Sequence, residues 1–98
     1  MHADYIDIEH PGVILKEEFL DPLGITQSHL SEVTGIPKGR ISEIVNGKRR
    51  ITAETGIRIS RALGLSDGFF YGLQTDYESR QAQRALDSIN IEVISVVS

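Results

Sequence analysis

Apolar residues recur along most of this chain at helical spacing. Ile14, Leu15, Phe19 and Leu20 form one stripe after Pro11, while Lys16 and Glu17 fall on the opposite side. Proline in a first turn loses no useful N–H, so His10 and Pro11 open a first helix, which Asp21-Pro22-Leu23-Gly24 ends. Thr26 is an N-cap for a second helix over 27–34, with Leu30 and Val33 turned inward. Gly35 then supplies the left-handed residue that closes a helix. Ile36-Pro37 completes a turn into a third helix over 38–45, which carries Ile41, Ile44 and Val45 and stops at Asn46-Gly47. Thr52 caps a fourth helix with Glu54 in its first turn, Ile57, Ile59, Ala62 and Leu63 on its apolar side, and Gly64 at its end. Ser66 or Asp67 caps a fifth helix with Phe69, Phe70, Leu73 and Tyr77, which either frays or continues through Gln81 to Leu86.

Two stretches depart from this period. Residues 1–10 interleave Asp4, Asp7 and Glu9 with Tyr5, Ile6 and Ile8 and read as an irregular or loosely extended arm. Residues 89–97 are dense in β-branched side chains and read as strand-like. The expectation is an all-α protein: an arm over 1–10, a five-helix domain over 11–86, and a C-terminal strand-like extension over 87–98. At 98 residues and 40% apolar content, one domain with a small packed core is the matching size.

The absence of cysteine excludes a disulfide framework, a thiolate-ligated zinc or iron–sulfur site, and thiol catalysis. No apolar run approaches the roughly 18 residues a membrane helix needs, and the N-terminus is neither basic nor apolar, so a cytoplasmic protein is expected. The net charge of −4 argues at first against nucleic-acid binding. Its distribution reverses that argument. Residues 38–61 hold seven basic and two acidic side chains, whereas the rest of the chain holds three basic and twelve acidic ones. Screening confines each charge to about 8–10 Å, so a basic segment can attract phosphate on an otherwise acidic protein.

The second and third helices, joined by a tight glycine turn, follow helix-turn-helix grammar over about 26–46. Leu30 and Ile41 can meet across the turn, small Ser31 permits close approach, and Ile44 anchors the third helix from behind. Lys38, Gly39, Arg40, Ser42 and Glu43 remain for the outward face, whose first turns suit a DNA major groove. Arginine or lysine can bond guanine there, and glutamate can accept from cytosine. The following loop, with Asn46, Lys48, Arg49 and Arg50, suits phosphate, as do Gln27 and Ser28 at the start of the second helix.

These signals, Gln27, Leu30-Ser31, Gly35, Ile41-Ser42 and Asn46-Gly47-Lys48, resemble the XRE (lambda-repressor-like, Cro-like) helix-turn-helix family. A narrower resemblance covers roughly residues 8–80. His10-Pro11-Gly12-Val13-Ile14-Leu15-Lys16-Glu17-Glu18-Phe19-Leu20, Pro22-Leu23-Gly24, Arg40 to Arg49 and Ile51-Thr52 are similar to the HigA/VapI group of antitoxins. Pro37, where the family often has a capping serine, Gly39, and the C-terminal extension depart from the pattern. The resemblance implies a small, mainly α-helical homodimer that binds double-stranded operator DNA. It also implies that the protein neutralises a cognate toxin, usually an mRNA-cutting ribonuclease, and represses its own promoter. A stand-alone XRE-type repressor without a toxin is the alternative, and an interaction module that has lost DNA binding is a third reading, disfavoured by the intact Lys38/Arg40 face.

Such a dimer needs a seam. The candidates are Phe69, Phe70, Leu73 and Tyr77 of the fifth helix, and the tail with Ile91 and Val93. The tail has three readings: it pairs with its dimer mate, adds to the edge of a toxin sheet, or is a disordered end. No catalytic site, metal site or cofactor is expected. Ser28 and His29 are adjacent and diverge on a helix, as do Glu17 and Glu18. His2, Asp4, Glu9 and His10 lack the spacing of a helical ligand pair. Arg58 and Arg61 share one face of the fourth helix and either extend the phosphate track or pair with acids of a partner.

Overall fold

The computed structural model describes residues 9–95 and shows five helices and, among those residues, no strand. Helix α1 is continuous but changes register: an α-turn Pro11–Ile14, a π-helical stretch Leu15–Leu20, and a closing Asp21–Leu23. His10 caps it, its Nδ1 accepting the Gly12 N–H at 2.9 Å. The wider register has a cause in Pro22. Proline has no N–H to offer Glu18, and its ring crowds that carbonyl. The chain responds by lengthening the turn before it, so that the Asp21 N–H reaches back five residues to the Lys16 carbonyl. Gly24 ends the helix at φ +67°.

Helices α2 (Gln27–Thr34) and α3 (Lys38–Val45) have the bounds their caps imply. The Thr26 hydroxyl accepts the His29 N–H at 3.0 Å, and Gly35 closes α2 at φ +77°. The turn between them is stitched by side chains. Ser31 donates to the Ile36 carbonyl at 2.6 Å, and Thr34 donates to the Leu30 carbonyl at 2.6 Å while accepting the Ile36 N–H at 3.2 Å. Thr34 is therefore the buried partner of Leu30, and Val33, expected inside, is 57% exposed. The threonine hydroxyl is satisfied by its own helix and costs little to bury.

Helix α4 (Ala53–Ala62) starts at Thr52, whose hydroxyl accepts the Thr55 N–H. Its inner face differs from the apolar set expected. Ile59 is buried, but Thr55, Gly56 and Ser60 accompany it, while Ile57 is half-buried and Ala62 exposed. Small residues let α5 (Phe69–Leu86) approach: a Cβ on Gly56 would stand 3.1 Å from the Tyr71 nitrogen. Gly68 is the N-cap of α5 and provides no side-chain cap, one or two residues after the expected Ser66 or Asp67; the Asp67 carboxylate instead pairs with Arg61 at 2.9 Å.

The core comprises Leu15, Leu20, Leu30, Ile36, Ile41, Ile44, Val45, Ile51, Ile59 and Phe70, so every helix contributes. Phe19, Phe69 and Phe70 meet edge to face with centroids 5.1–5.8 Å apart. Helix α1 is seated on α3 at Gly12, where a Cβ would lie 1.7 Å from the Ile44 carbonyl oxygen. The second half of α5 leaves this body and is exposed from residue 79 onward. Residues 87–95 continue without forming the expected strand: a lone segment has no neighbouring edge to pair with in an all-helical fold. Of the N-terminal arm, residues 1–8 lie outside the described residues, as do 96–98 of the tail.

Candidate nucleic-acid interface

The helix-turn-helix is held from behind. Arg58 of α4 donates through Nη1 to the Thr34 carbonyl at 2.7 Å, placing a cation at the negative end of α2. Its Nε and Nη2 bond Glu54 at 3.1 and 3.0 Å. Arg61 forms a two-pronged pair with Asp67 at 2.9 Å on both arms, and Arg61 holds the Asp67 carboxyl below its usual range. Arg58 and Arg61 were expected to extend the phosphate track or to meet acids of a partner; in the structure both are engaged by acids of this chain, Glu54 and Asp67.

Helix α3 buries Ile41, Ile44 and Val45 and turns Lys38, Gly39, Arg40 and Glu43 to solvent. Pro37 precedes it with no side-chain cap, and among the described residues no side chain is seen to accept from the amides of its first turn. Lys38, Arg40 and Lys48 form no ion pair with the described residues. Ser42 is half-buried and meets Asn46 only at the long distance of 3.5 Å. Glu43 accepts from Arg49 Nε at 2.7 Å, so these two candidates act as a pair. Gln27 is half-buried and Ser28 exposed at the start of α2.

Arg50, expected among the phosphate-facing cations, is directed elsewhere. It forms a bidentate pair with Glu78 of α5, Nε to Oε2 at 2.7 Å and Nη2 to Oε1 at 3.1 Å. The guanidinium holds the Glu78 carboxyl below the usual glutamate range, assisted by the Gln74 amide. Gln74 is 1% exposed, accepts the Ile51 N–H at 2.8 Å and donates to Glu78 at 3.0 Å. Neither Gln74 nor Glu78 was singled out in the sequence, although Gln74 stands four residues after Phe70, at a core position of the helical period.

His10 fastens the same loop from the other side. Besides capping α1, its ring bonds the Arg49 backbone carbonyl and sits edge to face on Tyr77, centroids 5.3 Å apart. Burial pushes the imidazole below its ordinary value, in keeping with a neutral ring that accepts on one nitrogen and donates on the other. His10 is thus committed, and of the four residues weighed as metal ligands, His2 and Asp4 lie outside the described residues.

The residues expected at a dimer seam separate into two groups. Phe70 is 0% exposed and belongs to the core, so it is not available to a partner. Leu73 packs against that core, Tyr77 is half-buried on His10, and Phe69 is 37% exposed. Ile91 and Val93 are exposed, with Leu86, Ile89 and Ile94 beside them along the chain. Among the described residues, no helix is long and apolar enough to cross a membrane.

This architecture has known counterparts. The helix-turn-helix family profile matches residues 15–70. Virulence-associated protein I of Dichelobacter nodosus is 39% identical over 82 residues, covering 84% of this chain and 76% of that protein. The Pseudomonas aeruginosa antitoxin HigA, solved with the higBA promoter, superposes with a TM-score of 0.78 at 31% identity, covering 86% of this chain and 95% of the other. A Pseudomonas aeruginosa protein solved in complex with its 18-bp operator DNA gives a TM-score of 0.81 at 30% identity, covering 90% and 96%. The chain belongs to the XRE-type helix-turn-helix family, among relatives that include HigA antitoxins and virulence-associated protein I.

Proposed function

We propose that this protein is a sequence-specific DNA-binding antitoxin that neutralises a ribonuclease-type toxin and represses its own operon as a dimer. The observation that carries the DNA reading is the set Lys38, Arg40 and Lys48, exposed on and just after α3 and without an ion-pair partner among the described residues. With α3 in the major groove, Arg40 and Lys38 bond guanine edges, and Gly39 lets the backbone approach closely. The Glu43–Arg49 pair and Ser42 flank them. Gln27 and Ser28 at the start of α2, with Asn46 and Lys48 after α3, bond phosphate and set the register. Arg50 contributes from its Glu78 pair rather than as a free cation.

Dimerisation is assigned to the projecting half of α5 and the tail, whose apolar side chains from Leu86 to Ile94 are exposed in the single chain. A two-fold dimer presents two α3 helices about 34 Å apart, one turn of DNA. Antitoxin activity rests on the likeness to HigA.

Selection from a random-sequence duplex library tests DNA recognition. Enrichment of an inverted repeat with half-sites about one helical turn apart is expected, and recovery without any enrichment refutes sequence-specific binding. Co-purification beside the proteins encoded by flanking reading frames tests the antitoxin role. A stoichiometric small partner is expected. Its absence, with DNA binding intact, leaves a stand-alone repressor.

A further inference from the structure

We propose that Gln74 is a positioning residue for the phosphate-facing loop, holding the backbone from which Lys48 is presented to DNA. The inference rests on the DNA-binding reading above. Residues 46–52 form no helix, yet they follow the outward face of α3 at once and carry Lys48, Arg49 and Arg50. A loop that presents a cation to DNA must be held by something outside itself. Lys48 N–H bonds the Glu43 carbonyl at 2.8 Å at the loop's start. At its far end the anchor is Gln74, from a helix 23 residues further along the chain.

The anchor is specific in chemistry. Gln74 is 1% exposed, and the Ile51 side chain against which its loop closes is 0% exposed. Its amide has one workable orientation: the oxygen faces the Ile51 N–H and the nitrogen faces the Glu78 carboxylate. A flipped amide would set donor against donor at Ile51 and acceptor against acceptor at Glu78. Glu78 in turn grips Arg50 with both oxygens, so the relay Ile51–Gln74–Glu78–Arg50 fastens two consecutive loop residues to α5. An apolar side chain of this size would fill the same space and leave the Ile51 N–H buried without an acceptor. Lys48, three residues before Ile51, is exposed and has no ion-pair partner among the described residues.

The test uses the full chain and a mixed-sequence 30-bp duplex, titrated between 50 and 200 mM salt. Gln74→Met is expected to bind about eightfold more weakly at 0.1 M salt. Its log–log salt slope should be shallower by about 0.9, the loss of one phosphate contact. Lys48→Ala is expected to do the same, and the double variant no more than either alone. Partial unfolding would lower the active fraction without moving the slope. A wild-type slope in Gln74→Met, or a second full loss in the double variant, overturns the assignment. Should Gln74→Met fail to fold, amide exchange at Ile51 in the wild-type protein decides. Protection comparable to the helix interiors is expected, and exchange at an open-loop rate overturns the clamp. Wild-type protein that binds no duplex sinks the DNA reading and the inference with it, and the Ile51 exchange then shows whether the clamp itself exists.

Discussion

Residues in this protein divide into cations with an intramolecular acid and cations without one. Arg49, Arg50, Arg58, Arg61 and Arg80 each have a carboxylate within 3.0 Å, whereas Lys38, Arg40 and Lys48 have none among the described residues. A count of basic residues treats these groups as equal, and only geometry tells them apart. His10 is the residue whose chemistry ties most together, since it caps α1, holds the Arg49 carbonyl and packs on Tyr77. Its pKa is lowered in the folded state, so the stability it contributes is present above 6.5, its unfolded value, and is lost as pH falls through the folded value. The unfolding free energy of the wild type should therefore decline on going from pH 7 to 5.5. His10→Asn, which keeps a capping acceptor but does not titrate, should decline less in parallel urea titrations. Equal slopes would remove His10 from the account. Glu78 and Asp67, both lowered by their arginines, act in the same sense further down, below 4.5 and 3.8 respectively.

Helices and their junctions were legible in the sequence to different degrees. Caps and stops have local causes, so Thr26, Gly35, Gly47 and Thr52 stand where the side-chain chemistry and backbone freedom require. Burial was harder to read because it depends on what lies opposite. Val33 fits the apolar period, yet Thr34 faces the core because its hydroxyl is satisfied locally. The inner face of α4 uses Thr55, Gly56 and Ser60, which no hydropathy pattern marks, because α5 lies so close. The outward set on α3 was visible because it is what remains after the core residues are removed. The redirection of Arg50 was not, because its partner lies 28 residues away. The junction of α1 with α3 supplies a sharp prediction. Gly12→Ala gains about 1 kcal/mol of helix propensity, but its Cβ would overlap the Ile44 carbonyl, a backbone obstacle that cannot turn aside. Overpacking costs about 1–3 kcal/mol or more, so net destabilisation is expected in denaturant unfolding. A variant more stable than wild type would contradict the packing described.

At the scale of the whole molecule the shape is informative. The Cα radius of gyration is 16.8 Å with extents of 55 × 36 × 21 Å, against about 13 Å for a compact chain of this length. The excess comes from the half of α5 and the tail that leave the body, and these carry the most exposed apolar residues, Val93 reaching 95%. Truncation after Ala85 should convert a dimer to a monomer by light scattering and weaken DNA binding by removing the second recognition helix. A truncated chain that still scatters as a dimer would exclude the tail from Leu86 onward as the seam and leave the rest of α5.

The measurement that bears most directly on the central claim is an equilibrium titration of wild type and Arg40→Ala against the selected duplex and a scrambled one. Wild-type protein should favour the selected duplex by about a thousandfold or more. Arg40→Ala should lose about 1–3 kcal/mol on that duplex and little on the scrambled one. Equal affinity of the wild type for both duplexes, or an Arg40→Ala variant indistinguishable from it, would contradict the assignment of the α3 face as the surface that reads DNA.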